Sequence, residues 1–286
     1  MNAAPSLVGI ESGSCENLEE PGYLCLEEAQ LYYVIHRTSC PRRARVVLAG
    51  PFATERSHRH ISWTRWARFL ARHNVEAVRF DYRGIGESTG RFEDMSFDSW
   101  YADLMACIRF LDNEDTGCPL IIHGIGLGAL LGHRAFIEGN GCANLMWLPP
   151  ASGQQLLYEH LRLRLANDLA LNLKPAKSRE QYFAEIGAGG SLEVEGFAWT
   201  RHLLDGVQKY CIPQDYPADP ARPHYVPALD KVAAYMFGGI GANPMRVPGQ
   251  PKPMNLVNPD MSDFFYTNLQ WINSVLTSRQ SCTEMR

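Results

Sequence analysis

The sequence has no surplus of positive charge. Its 286 residues include 27 Lys and Arg against 31 Asp and Glu, which leaves a formal net charge of −4. The densest cationic stretch, RTSCPRRAR at 37–45, is short and is interrupted by Pro41. Because a nucleic-acid-binding surface usually appears as a concentrated basic patch, nucleic acid is not expected as a partner.

Long apolar runs are absent as well. A membrane-spanning helix needs about 18 or more successive apolar residues, and no such run occurs. The N-terminal segment MNAAPSLVGIESGSCENLEEPG lacks the basic stretch and apolar run of a secretory signal. The sequence therefore predicts a cytoplasmic protein without a membrane span.

Paired cysteine motifs are the third absence. The eight cysteines are scattered without a CxxC pair, and several lie in apolar segments. Such thiols pack as small hydrophobic groups, so reduced structural cysteines are expected rather than disulfides or a zinc site. We predict no metal and no cofactor.

The 45% of hydrophobic residues that are present follow an alternating pattern of strands and helices. A hairpin is predicted at 23–28 and 29–38, and buried strands at 44–52, 75–84, 119–124 and 143–150. Amphipathic helices are predicted at 61–74, 97–113, 127–139 and 260–278. Strands that alternate with helices through short connections indicate a parallel sheet covered on both faces.

This alternation is interrupted between residues 151 and 222. Helices are predicted at 151–173 and 176–187, followed by a strand or hairpin leading into a helix at 192–210. A proline-rich connector at 212–227 then precedes two weak strand candidates, 231–237 and 252–257. We therefore predict an N-terminal arm at 1–22, an α/β core formed by 23–150 and 223–286, and a helical cap insertion at 151–222.

Four loops of this pattern carry related motifs. They are GPFATERSHRH at 50–60, DYRGIGESTG at 81–90, HGIGLGA at 123–129 and WLPPASGQQLL at 147–157. Together they resemble the successive loops of α/β-hydrolases, in particular the serine-aminopeptidase-like branch that includes the exosortase-associated hydrolases. The resemblance covers residues 23–165 and implies an α/β-hydrolase fold with a mostly parallel central sheet and a helical cap. A fold of this kind does not by itself define a function.

The resemblance identifies a nucleophile elbow that lacks its nucleophile. In the GxSxG pattern, the outer positions correspond to Gly124 and Gly128, and the serine position is Gly126. Glycine keeps the sharp turn because it has no Cβ to clash, but it provides no oxygen to attack a carbonyl. The family's histidine, expected before the C-terminal helix, is also missing, since the last histidine of the chain is His224. Asp230 is a candidate relic of the acid, without further support.

The resemblance also implies which parts of the site persist. Phe52 and Ala53 hold the oxyanion-hole position, and the N–H groups of this loop and of Leu127 are expected to face the pocket. Ser57 and His58 follow in the same loop and are candidate ligand contacts. Ser57 as a displaced nucleophile and a metal bound by His58 and His60 are weaker alternatives.

Other readings of the motifs compete with these. GIGLGA at 124–129 satisfies GxGxxA, but the next strand ends in MWLPPAS without the carboxylate that a dinucleotide site needs. His123 is expected to be packed inside the fold, and Asp81 and Arg83 to brace their own loop. The helix at 154–173 fits a cap helix, an acyl-chain lid or a dimer surface.

These observations predict a hydrolase-like protein that is non-catalytic. It would bind a small acyl, ester or peptide-like ligand, or act as an accessory subunit, with a homodimer or a partner protein left open. The candidate ligand-binding residues share one predicted pocket and are Phe52, Ala53, Ser57, His58, Gly126 and Leu127. No catalytic residue is assigned. The alternative is a hydrolase or acyl-transfer enzyme for esters or amides with relocated catalytic residues.

Overall fold

The structure is a computed structural model that describes residues 18–170, 177–228 and 260–284. The predicted strands at 231–237 and 252–257, together with Asp230, lie outside the described residues.

Within the described residues, a seven-stranded mixed sheet forms the centre of the fold. The strands of the chain are β1 (Glu19–Cys25), β2 (Gln30–His36), β3 (Ala44–Ala49), β4 (Val75–Phe80), β5 (Leu120–Ile125), β6 (Ala143–Trp147), β7 (Leu192–Val194), β8 (Phe197–Trp199) and β9 (His224–Tyr225). The spatial order is β1-β2-β4-β3-β5-β6-β9, while β7 and β8 form a separate hairpin. β2 runs antiparallel to β1 and β4, and all other pairs in the large sheet are parallel. Every residue of β3, β5 and β6 is buried, as expected for strands covered on both faces.

Helices cover both faces of this sheet. They are α1 (Glu55–Arg72), α2 (Phe97–Glu114), α3 (Leu127–Ile137), α4 (Gly153–Ala170), α5 (Arg179–Gly187), α6 (Arg201–Leu204) and α7 (Ser262–Glu284). α1 and α7 pack on one face around Trp66 and Ile272, whereas α2 and α3 pack on the other around Trp100 and Leu131. The predicted fold class, a mostly parallel sheet between two helical layers, is confirmed.

The buried residues of α7 recur at the spacing of an α-helix, which is why the sequence predicted this element. Among the buried apolar residues of this helix are Phe264, Leu269, Ile272 and Leu276. Their spacing of three to five residues follows the 3.6-residue repeat of an α-helix, so one stripe of the helix enters the core.

The start of α1 differs from its prediction. The helix begins at Glu55, six residues before the predicted start at residue 61. Its first turns carry few apolar residues, so no hydrophobic period marks them. Ion pairs from Arg56 to Asp81 and from Arg59 to Glu55 hold them in place of an apolar stripe. Ser57 and His58 therefore lie on a helix and not in the loop in which they were expected.

Two strands also differ from expectation. β1 begins at Glu19 and includes Pro21, within the predicted arm of residues 1–22. Proline is tolerated there because β1 is an edge strand with one unpaired side. β9 pairs with β6 inside the segment predicted as a connector, where its two residues and flanking prolines left no strand pattern.

The segment from 151 to 222 contains α4, α5, the β7–β8 hairpin and α6, followed by a 3₁₀ turn at Val207–Lys209. Its buried residues Leu157, Leu161 and Trp199 join the same core cluster as Phe52 and Trp100. This segment therefore packs against the face of the sheet that carries the loop after β3. Across the described ranges, no helix has the length and apolar character needed to cross a membrane.

Candidate active-site elbow

The turn between β5 and α3 has the backbone of a nucleophile elbow. Gly126 lies between the two elements with φ 57° and ψ −115°, a conformation in which an L-residue is strained. Its N–H donates to the Trp147 carbonyl at 3.1 Å, and the Gly128 N–H donates to the Gly50 carbonyl at 3.1 Å. These two bonds tie the turn to the neighbouring strands β6 and β3.

The two outer glycines are required by close backbone contacts. A Cβ at Gly124 would lie 2.1 Å from the Gly128 carbonyl oxygen, and one at Gly128 would lie 2.0 Å from that of Ala49. No side chain fits at either position, because the obstructing atoms belong to the backbone. Both glycines of the motif therefore serve the packing of the helix on the sheet.

The space beside Gly126 is occupied by a carboxylate. A Cβ at Gly126 would lie 3.2 Å from Glu55 Oε2 and 3.9 Å from Pro51 Cβ. Within the described ranges, no other atom outside the immediate chain neighbours comes within 4 Å of that position. Among the described residues, therefore, no hydroxyl or thiol lies within 4 Å of this position.

Glu55 is held in this place by an ion pair. Its Oε1 accepts from Arg59 Nη2 at 2.9 Å, and both residues are buried. The sequence reasoning named Glu55 as part of its segment but gave it no role. The available signal was the spacing of Glu55 and Arg59, which places opposite charges on one side of a helix directly after the oxyanion loop.

Four of the six predicted ligand-binding residues are buried around the elbow. Phe52, Ala53 and Leu127 share one core cluster, and Gly126 directly precedes Leu127. Ala53 has φ 42°, a left-handed conformation that is unusual for alanine. Leu127 is the first residue of α3, so its N–H has no partner within the helix.

The other two predicted residues are placed differently. Ser57 and His58 are exposed on α1, and neither comes within 4 Å of a side-chain position at Gly126. His60 is exposed on the same helix. Over the described residues, no group of three or more His, Cys, Asp or Glu is arranged to hold a metal.

An imidazole that the sequence reasoning missed packs against the oxyanion loop. His160 of α4 is buried, and its ring centroid lies 4.9 Å from that of Phe52. His160 Nδ1 lies 3.1 Å from Glu195 Oε2, and the Thr54 hydroxyl donates to the Glu195 carbonyl at 3.1 Å. Glu195 and Gly196 have φ values of 53° and 85°, typical of a type I′ turn, and this turn joins β7 to β8.

Two buried polar atoms near this loop have no partner. They are His160 Nε2 and Trp199 Nε1, for which the described part of the chain offers no hydrogen bond. The Trp199 ring lies 6.0 Å from that of Phe52. Buried polar atoms are usually hydrogen-bonded, so these two nitrogens are exceptions whose bonding capacity the described protein groups leave unused.

The other motif residues, His123 and Asp81, contact residues that stabilise the fold. His123 is fully buried between Trp63 and Trp147, with ring centroids 5.0 and 4.5 Å away, and burial holds the pKa of this imidazole well below its usual value. Asp81 accepts two bonds from Arg56, at 2.7 and 2.6 Å.

Arg83 stabilises the same loop through an ion pair with a second carboxylate, that of Asp103. It binds Asp103, where burial raises the pKa of that carboxyl despite the guanidinium. Both loop-bracing residues thus act through ion pairs, as the sequence indicated, with partners that only the structure identifies.

Comparisons with known proteins agree with this geometry. A family model of serine aminopeptidases (S33) matches residues 44–184. Est1E from Butyrivibrio proteoclasticus, solved with ferulic acid bound, superposes with a TM-score of 0.52 at 15% identity, over 76% of this chain and 86% of that one. No curated protein matches the sequence.

Two further solved structures are similar over a smaller part. One is an α/β serine hydrolase homologue from Coxiella burnetii, with 20% identity, a TM-score of 0.41 and coverage of 46% of this chain and 64% of that one. The other is an α/β serine hydrolase without a lid from Xanthomonas campestris, with 22% identity, a TM-score of 0.42 and coverage of 46% and 62%. In both cases the matched part is less than two thirds of the relative's length.

Proposed function

The chain belongs to the α/β-hydrolase superfamily, and from this premise we propose that it is a ligand-binding member without serine-hydrolase activity. The pocket at the elbow binds a small acyl, ester or peptide-like molecule. Phe52, Ala53, Gly126 and Leu127 line its base, and residues 151–222 act as the cap above them.

The position of Glu55 carries this proposal. Its carboxylate lies where a serine side chain would otherwise project from the elbow, and it is paired with Arg59. A carboxylate at this point repels the negative charge that develops on a carbonyl under attack, which opposes oxyanion stabilisation. The absence of any histidine after His224 further supports the loss of the usual base.

The polar atoms on the cap side support ligand binding. Trp199 Nε1 is a donor, and His160 Nε2 accepts when the Nδ1 proton is directed to Glu195. A ligand that offers both an acceptor and a donor, such as an amide or a hydroxy ester, satisfies both atoms. The aromatic rings around Phe52 suit an apolar acyl or aryl portion.

One observation favours a second candidate function, hydrolysis with relocated residues. His160 and Glu195 form a His–carboxylate pair against the oxyanion loop, the arrangement that orients a general base. In that case His160 would take a proton from water and Glu195 would hold the imidazole in place. The missing covalent nucleophile makes this an enzyme of a different mechanism from the serine hydrolases.

A labelling and turnover experiment separates the two functions. We expect no labelling by a fluorophosphonate probe and no turnover of short p-nitrophenyl esters. Turnover that is lost in His160→Gln and kept in the exposed-site control His202→Gln would establish the enzyme instead.

Ligand binding is tested separately with the 4-nitroanilide of butyric acid, because this amide resists the hydrolysis that an ester undergoes. We expect it to shift the Trp199 indole NMR signal saturably. An unmoved indole signal, with no other signal of the elbow shifting, would contradict the binding proposal.

A further inference from the structure

A second cleft lies on the α1 side of the sheet, beside the ends of β3 and β4. It has a volume of about 30 Å³ and is bounded by Gly50 and Pro51. The side chains that determine its character are those of Arg56, Arg59, His60, Trp63, Arg79 and Asp81. None of these residues belongs to the elbow pocket proposed above, although Arg59 also binds Glu55.

Positive charge exceeds negative charge in this cleft. Three guanidinium groups and an imidazole face one carboxylate, Asp81. Arg56 binds both oxygens of Asp81 through its Nε and Nη2 atoms, and Arg59 pairs with Glu55. Arg79 therefore contributes a positive charge that these two carboxylates do not neutralise.

Among the described residues, Arg79 has a single hydrogen-bond partner, His36, whose Nε2 accepts from Arg79 Nε at 3.0 Å. Its side chain is half-buried on β4, and within the described ranges no carboxylate lies at ion-pair distance from it. His36 is neutral near pH 7, because burial and Arg79 lower the pKa of its imidazole to about 4. The terminal nitrogens of Arg79 thus remain available to a planar, bidentate acceptor.

The pKa of His60 responds to the same excess of positive charge. Burial lowers the pKa of its imidazole, and the charges of Arg79 and Arg56 lower it further, with Arg68 acting in the same direction and Asp81 opposing them. A bound anion would reverse this effect and raise the pKa of His60.

From the Arg79 guanidinium, which has no ion pair among the described residues, the neighbouring imidazole and the size of the cleft, we propose that the cleft binds the carboxylate group of a small organic acid. A volume of about 30 Å³ accommodates roughly two water molecules, or a single planar carboxylate in their place. Arg79 supplies the bidentate contact, and His60 lies at the mouth of the cleft. The cleft borders the elbow through Pro51 and the Arg59–Glu55 pair, whereas Arg79 and His60 make no contact with the Gly126 position.

The probe for this site is sodium acetate, compared with phosphate and chloride at constant ionic strength. The measurement is the NMR titration of the His60 imidazole. We expect acetate to raise the pKa of His60 saturably, and Arg79→Gln to weaken the binding about tenfold or more through loss of the charged bidentate contact. Arg109→Gln, at an exposed position on α2 across the sheet, is the matched control and should leave the acetate affinity unchanged.

A second variant keeps the test decisive if Arg79→Gln does not fold. His60→Gln changes an exposed side chain, and calorimetry should still detect acetate, with affinity reduced by a factor of about three. Equal responses to acetate and chloride, or an acetate affinity that Arg79→Gln leaves unchanged, would overturn the proposal. Saturable binding of phosphate without acetate would overturn the assignment to a carboxylate.

Discussion

The elbow at Gly124 to Gly128 and the segment that faces it, residues 50–59, are held in place by different kinds of contact. The elbow keeps its backbone conformation, its ties to β3 and β6, and the two glycines that allow α3 to approach the sheet. The facing segment instead places the carboxylate of a buried Glu55–Arg59 pair 3.2 Å from the position of a Cβ at Gly126. Backbone packing therefore fixes the conformation of the elbow, while the ion pair of the facing segment fixes the charge beside it.

The strongest test of this comparison is Gly128→Ala. The added Cβ would meet backbone oxygen atoms of Ala49 and Gly50, at 2.0 and 2.7 Å, and α3 would have to move away from β3. We expect the free energy of unfolding to fall by more than about 4 kcal/mol, seen as a large loss of thermal stability by circular dichroism. Gly187→Ala is the control, since no atom lies within 4 Å of its added Cβ. Equal melting temperatures for the two variants would contradict the packing role.

The next test concerns the ion pair of the facing segment. Glu55→Gln removes the charge from a buried pair, and we expect a loss of about 2–3 kcal/mol in denaturant unfolding. Arg134 and Glu138 form a pair of the same spacing on the surface of α3. Glu138→Gln should cost less than about 0.5 kcal/mol, because exposed pairs are screened by solvent. Similar losses in both variants would show that burial of Glu55 is unimportant.

The third test is the pH dependence of stability, which depends on two buried histidines outside the elbow and the facing segment. Burial lowers the pKa values of His36 and His133 to about 4, with Arg79 adding to the effect at His36 and His224 at His133. In the unfolded chain these histidines take up protons near pH 6.5, so the unfolded state binds more protons between pH 6.5 and 4. Stability is therefore lost as the pH falls through that window.

For the two histidines together, the expected loss between pH 6 and pH 5 is about 2 kcal/mol. Denaturant unfolding at the two pH values measures it. His133→Gln should remove about half of this dependence, whereas His202→Gln, at an exposed position, should leave it unchanged. A pH dependence that is the same in all three proteins would contradict the assignment.

The smallest expected effect on stability is that of Gly126→Ser. Its Cβ would lie 3.2 Å from Glu55 Oε2, and φ at this position is 57°, so we expect a cost of about 1–2 kcal/mol and no esterase activity. Gly139→Ser separates the two causes, because Gly139 also has positive φ but has open space around it. Esterase activity in Gly126→Ser that disappears on adding His160→Gln would show that the cap histidine reaches the elbow.

Local pattern was sufficient for much of the fold. The apolar runs of β3 and β5, the helical spacing of α7 and the glycines of the elbow are all visible in short stretches, because each depends on the period or the turn of its own segment. The start of α1 was not visible, since ion pairs with Asp81 and within the helix replace the apolar stripe. β9 was not predicted either, because its two residues between prolines are too few to show an alternating pattern.

The sequence by itself determined the alternation of strands and helices and the glycine-rich turn between β5 and α3, because glycine spacing and strand periodicity are local properties. Only the tertiary structure decided what surrounds that turn. Glu55 meets Gly126, and His160 meets Glu195 and Phe52, across separations of 35 to 108 residues along the chain. Such contacts arise from the packing of whole helices and strands on each other, so no short stretch of sequence encodes them.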